Sequence, residues 1–81
     1  PPQLQVWVKP LRDGSKAVVL FNRASVPSRI TANWGRIGIR TRQATVRDLW
    51  AHKDLGVVEN RYTADVPSHG VVMLRVTPAG E

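Results

Sequence analysis

The chain has 81 residues, no cysteine and a formal net charge of +6. A chain of this length folds as one small domain, which buries about 60–65% of its extended surface and leaves no room for a second domain with its own cleft. The absence of cysteine excludes disulfides and thiolate-bound metals, and without an apolar run of about 18 residues we expect no membrane-spanning helix.

The first residues predict a hairpin. Residues 4–8 alternate with period two, with Leu4, Val6 and Val8 in one register and Gln5 and Trp7 in the other. Asp13-Gly14 then separates two apolar runs, which is a strong hairpin signal. Residues 16–23 are apolar in both registers, so this strand should be covered on both faces and lie centrally in its sheet.

The remainder of the chain predicts further strands and no convincing helix. Alternating segments occupy residues 30–34, 44–49, 61–66 and 71–77, and Val57-Val58 adds a shorter candidate. Turn signals separate these segments about every 8–12 residues, and no helices alternate with them to suggest a parallel sheet. The sequence therefore predicts an all-β fold, an antiparallel β-sandwich of six to eight strands.

The predicted domain occupies residues 4–78. Residues 1–3 are interpreted as the remnant of a linker and residues 79–81 as a frayed tail. The first residues do not have the pattern of a signal peptide. Because the chain starts at Pro1 rather than methionine, we expect it to be a piece of a longer protein.

The most unusual stretch covers residues 46–56. In the alternation of its strand, Asp48 occupies a position that calls for a buried apolar residue. A buried carboxylate is costly unless it is hydrogen-bonded or paired, so it should accept from N–H groups of residues 51–55 or pair with Arg47, His52 or Lys53. The apolar ring of Trp50 should pack in this corner, and its indole N–H should donate a hydrogen bond to a carbonyl. The stretch predicts a locked structural corner composed of Asp48, Trp50, His52, Asp54 and Gly56.

A second prediction concerns the face of the sheet that points away from the core. The last strand and the strand at residues 16–23 have apolar residues in both registers. If these strands share a sheet, their outer face carries a contiguous apolar patch, which is typical of a docking surface. The alternative is that loops of this chain cover that face. The residues assigned to this candidate interdomain patch are Trp7, Val18, Leu20, Val71 and Met73.

No set of residues predicts catalysis or metal binding. Carboxylate catalysis needs two acids about 5–9.5 Å apart on a shared cleft, whereas Asp48 and Asp54 lie across a corner. Ser68 and His69 are neighbours on an extended chain and point to opposite sides. His52, His69 and Asp48 match no metal-ligand spacing, and no glycine loop precedes a helix, so we expect no metal and no cofactor.

Two binding functions remain as alternatives. Exposed tryptophan on a β-sandwich can stack on a sugar ring, and Trp7 and Trp50 are the candidates for such a carbohydrate-binding module, because Trp34 falls in a core register. The net charge makes a polyanion the other candidate partner, through the local cluster from Arg36 to Arg47. The cations are otherwise spread out, as on a solvated face, so nucleic acid is not expected.

Several segments, taken in order, resemble one known family. Residues 6–11 (VWVKPL) and 13–23 (DGSKAVVLFNR) are similar to the opening of the C-terminal β-domain of family 27 glycoside hydrolases, the α-galactosidases (melibiases) and their relatives. The similarity continues through residues 30–34 (ITANW), 46–56 (VRDLWAHKDLG) and 62–76 (YTADVPSHGVVMLRV). It covers about residues 4–78.

The resemblance implies a two-domain enzyme, in which a (β/α)₈ barrel precedes a sandwich with Greek-key connections. In that family two aspartates of the barrel, a nucleophile and an acid/base, perform retaining hydrolysis of terminal α-galactosides. Neither motif occurs in this chain, so the resemblance implies a non-catalytic domain that packs on and stabilises the barrel. It assigns no role to Arg36, Arg40 and Arg42, and it leaves open whether the parent is secreted.

Overall fold

The computed structural model describes residues 3–79, and these form seven strands and one short helix. The strands are β1 (Leu4–Pro10), β2 (Lys16–Asn22), β3 (Ser28–Asn33), β4 (Gln43–Asp48), β5 (Lys53–Glu59), β6 (Arg61–Val66) and β7 (Val71–Ala79), and the helix is α1 (Trp34–Ile37). The strand pairs are antiparallel. The predicted all-β fold of six to eight strands is confirmed.

Two hairpins and a late strand make the larger sheet. β1 pairs with β2, β4 pairs with β5, and β7 lies between the two hairpins, so that the order is β1-β2-β7-β4-β5. β3 and β6 pair with each other in the second sheet. The chain therefore leaves the larger sheet after β2 and again after β5, and β7 returns to pair with β4, as a Greek-key connection requires.

The short helix lies where alternation predicted the end of a strand. Asn33 has extended backbone and its side chain accepts a hydrogen bond from the Gly35 N–H. Gly38 closes the turn at a φ of 87° and donates its N–H to the Trp34 carbonyl, a left-handed conformation that glycine adopts without steric cost. The sequence pattern did not identify this helix, because four residues are too few to display helical periodicity.

The core lies between the two sheets and is closed at one end by α1. Trp34 is 2% exposed, and its indole N–H donates to the Val58 carbonyl at 3.0 Å. The largest core side chain is thus both packed and hydrogen-bonded, which buried tryptophan normally requires. The other core residues are Val18, Leu20, Ile30, Ala32, Ile37, Ile39, Ala44, Val46, Ala64, Val66, Leu74 and Val76.

The register of β2 corrects the assignment of Val18 and Leu20 to the outer face. Their side chains are 1% and 0% exposed, because they share a face with Leu74 and Val72 of β7 and this face packs on β3 and β6 of the second sheet. The other register of β2 points away from the core: Ala17, Val19 and Phe21. Since both registers are apolar, the sequence of this strand does not indicate which one is buried.

Gln3 of the predicted linker and Ala79 of the predicted tail contact the sandwich. The Gln3 carbonyl accepts from the Arg23 N–H at 2.7 Å, and Ala79 lies opposite Gln43 as part of β7. The other residues of the predicted linker and tail, 1, 2, 80 and 81, lie outside the described residues. Over residues 3–79, the fold contains no helix of the length and apolarity that a membrane span needs.

Candidate functional site

The outward face of the larger sheet carries two apolar rows. In the first row Trp7 lies opposite Val19, which in turn lies opposite Met73. In the second row Phe21 lies between Gln5 and Val71. Paired residues of antiparallel strands share a face and contact each other. The two rows therefore form one surface, which we name the outer patch: Trp7, Val19, Phe21, Val71 and Met73.

The outer patch is accessible to solvent. Trp7 is 60% exposed, Val71 43% and Met73 36%, and Val19 and Phe21 between them are half-buried. Loops within residues 3–79 thus leave these side chains open. A contiguous apolar surface of this kind is typical of a docking site.

The same face becomes polar toward β4 and β5. Arg47 lies opposite Arg75, a like-charge pair that would be unfavourable if it were uncompensated. Arg47 Nη1 pairs with Asp54 Oδ1 at 2.8 Å, and the Arg75 guanidinium pairs with the Asp13 carboxylate. A shallow depression of about 430 Å³ lies here, lined in part by Thr45 and both arginines. Because both carboxylates are held by guanidinium groups, they do not form an acid/base pair.

Asp13 joins the β1–β2 turn to β7. Its Oδ1 accepts hydrogen bonds from the hydroxyl and the backbone N–H of Ser15, and Arg75 Nε donates to the Ser15 hydroxyl. The Ser15 hydroxyl hydrogen bond is the main cause that lowers the pKa of Asp13 to about 2, and the Arg75 charge contributes. Hydrogen bonds to the ionised form stabilise it, so this carboxylate is a structural anion.

Asp48 holds the turn between β4 and β5. Its Oδ1 accepts from the backbone N–H groups of Trp50 at 3.0 Å and Ala51 at 2.9 Å. The carboxylate is half-buried, and Arg47, one of its expected partners, pairs with Asp54 instead. The arrangement is a side-chain-capped turn, which satisfies two backbone donors.

The other residues of the predicted corner do not converge on Asp48. Trp50 is 79% exposed, which corrects the expectation that it packs as apolar bulk, because the capped turn projects it away from the core. His52 is also exposed and adopts a left-handed φ of 55°. Gly56 lies inside β5, opposite Val46, at a β-bulge where the register shifts. Asp54 faces Arg47 across the sheet.

The two tryptophans predicted as sugar-stacking candidates are both accessible. Trp7 donates its indole N–H to Gln5 Oε1 at 2.9 Å. The Leu49 N–H donates to the Met73 carbonyl at 2.9 Å, so the turn that carries Trp50 lies beside the outer patch. An exposed aromatic ring therefore stands at the border of this apolar surface.

Reactive side chains do not form a catalytic or metal-binding group in the described part of the chain. No three or more His, Asp or Glu side chains among residues 3–79 could hold a metal ion. The Ser68 hydroxyl donates to the Ala24 carbonyl, so it fastens a loop. His69 is exposed, with a left-handed φ of 56°.

The structure separates the cations that the sequence grouped together. Arg47 lies on the outward face of β4, where it pairs with Asp54. Arg36, by contrast, is in α1, and Arg40 and Arg42 lie in the connection from α1 to β4. The latter three are exposed and belong to one end of the sandwich.

Sequence reasoning missed the structural role of Asn22. Its side chain is 0% exposed, donates to the carbonyls of Val26 and Val66, and accepts from the Ala24 N–H. It ties the β2–β3 loop to β6. Asn22 ends a strand that is apolar in both registers, so the sequence alone does not show that its side chain is buried.

Comparisons with known proteins agree with this fold. The sequence profile described as the alpha galactosidase C-terminal beta sandwich domain matches residues 2–76. A probable alpha-galactosidase of Dictyostelium discoideum is 42% identical over 77 residues, which cover 91% of this chain and 20% of that protein. The chain thus spans about a fifth of the length of this relative.

Solved structures give the same result. Alpha-galactosidase I from Mortierella vinacea superposes with a TM-score of 0.86 at 30% identity, covering 98% of this chain and 23% of that one. A GH27 β-L-arabinopyranosidase from Geobacillus stearothermophilus gives a TM-score of 0.91 at 25% identity, covering 99% and 18%. The resemblance seen in the sequence is confirmed: the chain belongs to the C-terminal β-sandwich domain family of the α-galactosidases and related family 27 glycoside hydrolases.

Proposed function

We propose that this chain is the non-catalytic accessory domain of an α-galactosidase-like retaining glycoside hydrolase, and that its outer patch packs on a preceding (β/α)₈ catalytic barrel. The observation that carries the proposal is the contiguous apolar outer patch, open to solvent on a chain that spans about a fifth of a relative's length. Covering such a surface stabilises both partners, at about 25 cal/mol for each Å² of apolar area removed from water.

The carboxylates of the chain support a structural role. Asp13, Asp54 and Asp65 pair with arginines, and Asp48 caps a turn. A retaining glycosidase needs two carboxyl groups about 5–5.5 Å apart across a cleft. Hydrolysis of a terminal α-galactoside is therefore assigned to residues outside this chain.

The test is a polar double variant of the outer patch, Val71→Thr with Met73→Gln, in the intact polypeptide that contains this domain. Both changes keep the approximate side-chain size and remove apolar surface, so docking should weaken by about 1–3 kcal/mol. We expect the melting temperature from calorimetry to fall by a few degrees. Hydrolysis of a chromogenic α-galactoside at room temperature should be unchanged.

A matched control distinguishes docking from a general loss of apolar surface. Val26, in the β2–β3 loop, is 58% exposed, and Val8, opposite Val18 on the inward face of β1, is 39% exposed, so both lie off the outward face. Val26→Thr with Val8→Thr should leave the melting temperature unchanged, and equal effects of the two double variants would contradict docking through the outer patch. Hydrolysis of the galactoside by the 81-residue chain alone would overturn the non-catalytic assignment. Absence of this hydrolysis in the intact polypeptide would overturn the proposal that it is an α-galactosidase-like enzyme.

The exposure of Trp50 favours a second candidate function, carbohydrate binding by this domain. At 79% exposed on a projecting turn, its ring offers an open flat surface, which can stack on the apolar face of a sugar. The indole N–H of Trp7 is already bonded to Gln5, so Trp50 is the better platform of the two.

Galactose titration of the intact polypeptide tests this second candidate. If Trp50 stacks on sugar, galactose at about millimolar concentration should quench tryptophan fluorescence, and Trp50→Ala should abolish the change while Trp7→Ala keeps it. Absence of quenching, together with a lower melting temperature for Trp50→Ala, would instead place Trp50 in the interface with the barrel.

A further inference from the structure

Five cations gather at one end of the sandwich, around α1 and the β5–β6 turn. The Trp34 N–H donates to the Asn60 carbonyl, and the Asn60 N–H donates to the Arg42 carbonyl, which joins the α1–β4 connection to that turn. Arg61 follows Asn60 and lies opposite Asn33, the residue before α1. We name this surface the basic end: Lys16, Arg36, Arg40, Arg42 and Arg61.

Lys16, the first residue of β2 in the larger sheet, is the fifth cation of the basic end. A Cβ atom placed on Gly38 would lie 3.4 Å from both Cε and Nζ of Lys16, so this ammonium group reaches the end of α1. Arg36, in α1, lines a depression of about 250 Å³ between β1 and β3. The cations therefore surround a structured feature and are not spread along a loose segment.

The charges of the basic end are not neutralised by the fold. The ion pairs within residues 3–79 join Arg29 to Asp65, Arg47 to Asp54 and Arg75 to Asp13, and none of them includes a residue of the basic end. The nearby carboxylate of Glu59 accepts a hydrogen bond from the Gln43 amide at 3.1 Å. Arg36, Arg40, Arg42 and Arg61 are all exposed, and such a cluster concentrates positive potential at the surface.

We propose that the basic end binds an anionic polysaccharide that carries a carboxylate on successive sugars, separately from the outer patch. Guanidinium groups bind carboxylates through paired hydrogen bonds, and four arginines from α1, the α1–β4 connection and the start of β6 can contact several sugars of one chain. The choice of a glycan partner rests on the proposed function, because an enzyme of this class acts on glycans. Bound there, the domain would hold the enzyme close to polysaccharide.

The surroundings of the basic end favour this partner over nucleic acid. Proteins that bind single strands combine cations with exposed aromatic rings for base stacking, whereas Trp34 is buried and Tyr62 half-buried at this end. Reading a duplex commonly requires a helix or ribbon that enters the major groove, and α1 has four residues.

The experiment measures binding of the intact polypeptide to fluorescently labelled polygalacturonate by anisotropy, at about 50 and about 200 mM salt. Contacts by five cations should weaken about a hundredfold between these conditions, because binding releases counterions from the polyanion. Arg40→Ser with Arg42→Ser should lower the affinity about tenfold at the lower salt and reduce the salt dependence. Neutral dextran should not bind at the basic end.

The control removes two cations from outside the basic end. Arg23→Ser with Lys53→Ser causes the same change in net charge, and both residues are exposed, so the affinity for polygalacturonate should stay within about twofold of the unmodified protein. Equal losses for the two double variants would overturn the proposal, because they would show a response to net charge alone.

Other outcomes of these measurements would also overturn the proposed polysaccharide binding. Binding of duplex DNA with no binding of polygalacturonate would overturn the choice of partner. A lower melting temperature for Arg40→Ser with Arg42→Ser would show that the basic end packs on the barrel, which also contradicts the proposal. An intact polypeptide that hydrolyses α-galactosides without binding polygalacturonate refutes this inference alone, whereas one without hydrolysis refutes the proposed function.

Discussion

Asn22 lies at the end of β2, in the register that Val18 and Leu20 fill with apolar side chains. Its amide makes three hydrogen bonds without exposure to water, to the backbone of residues 24, 26 and 66. Buried polar groups are tolerated when they are satisfied in this way. A single side chain thus fixes the path of the β2–β3 loop and links it to the second sheet.

Substituting Asn22→Ala should lower the free energy of unfolding by about 2–3 kcal/mol, because the Ala24 N–H and two carbonyls lose their buried partner. Urea-induced unfolding measures this loss. Asn33→Ala is the matched control, since Asn33 is exposed and caps α1, and its loss should cost about 1 kcal/mol. A cost for Asn22→Ala no greater than that for Asn33→Ala would contradict the role assigned to the buried amide.

The lowered pKa of Asp13 predicts a dependence of stability on pH. The folded pKa is about 2 and the ordinary value is 3.8, so the unfolded state binds more protons between these values. The stabilising effect of the carboxylate is therefore complete above about pH 4 and disappears as the pH falls toward 2. Unfolding of the Asp13→Asn variant should lack this part of the pH dependence. Identical acid unfolding curves for the variant and the unmodified protein would refute this prediction.

At the scale of elements, the β4–β5 hairpin shows how one glycine determines a register. Val46 lies opposite Gly56 and Arg47 opposite Asp54, so Leu55 is an extra residue on β5. Gly56 has a φ of 86°, the left-handed conformation of a glycine bulge. The bulge returns Asp54 to the outward face, where its carboxylate meets Arg47.

Replacing Gly56→Ala should lower the free energy of unfolding by about 1–2 kcal/mol, because a left-handed φ is unfavourable for a residue with a Cβ. The space around Gly56 is open, so the cost is one of backbone conformation and not of a clash. Gly35→Ala is the control: Gly35 lies in α1 without a positive φ, where alanine is the better helix former. A chemical denaturation series compares them, and equal stabilities would contradict the bulge assignment.

At the scale of the whole molecule, β7 connects the two hairpins. Its pairing with β2 on one side and β4 on the other makes the larger sheet continuous, and Leu74 and Val76 from this strand are 0% exposed. The last strand in the sequence is thus central in space. Cooperative folding of this domain therefore requires contacts between residues far apart in the chain.

Leu74→Ala should lower the free energy of unfolding by about 2–5 kcal/mol, because it leaves a cavity under both hairpins. Leu11→Ala is a matched control on the half-buried β1–β2 turn, and its cost should be about 1 kcal/mol. Thermal unfolding of the two variants measures which substitution destabilises the domain more. A smaller effect at Leu74 would show that β7 is not part of the cooperative core.

The sequence by itself determined the secondary structure class and the family. Period-two alternation predicts strands because side chains of a strand point alternately to the two faces, and the turn residues between segments exclude long helices. The burial of Trp34 followed from its register with Ile30 and Ala32. These features are local, so one chain read in order is enough to identify them.

The tertiary structure alone decided which apolar register is buried, where β7 inserts and which charges meet. Val18 and Leu20 are buried rather than exposed because their face of β2 packs on the second sheet, and an apolar pattern on both faces of β2 contains no information about that choice. Arg47 meets Asp54 because of a bulge, and Trp50 projects because Asp48 caps its turn. The first outcome depends on how one sheet packs on the other, and the other two depend on the geometry of a bulge and a capped turn within one hairpin. Period-two alternation encodes none of these features.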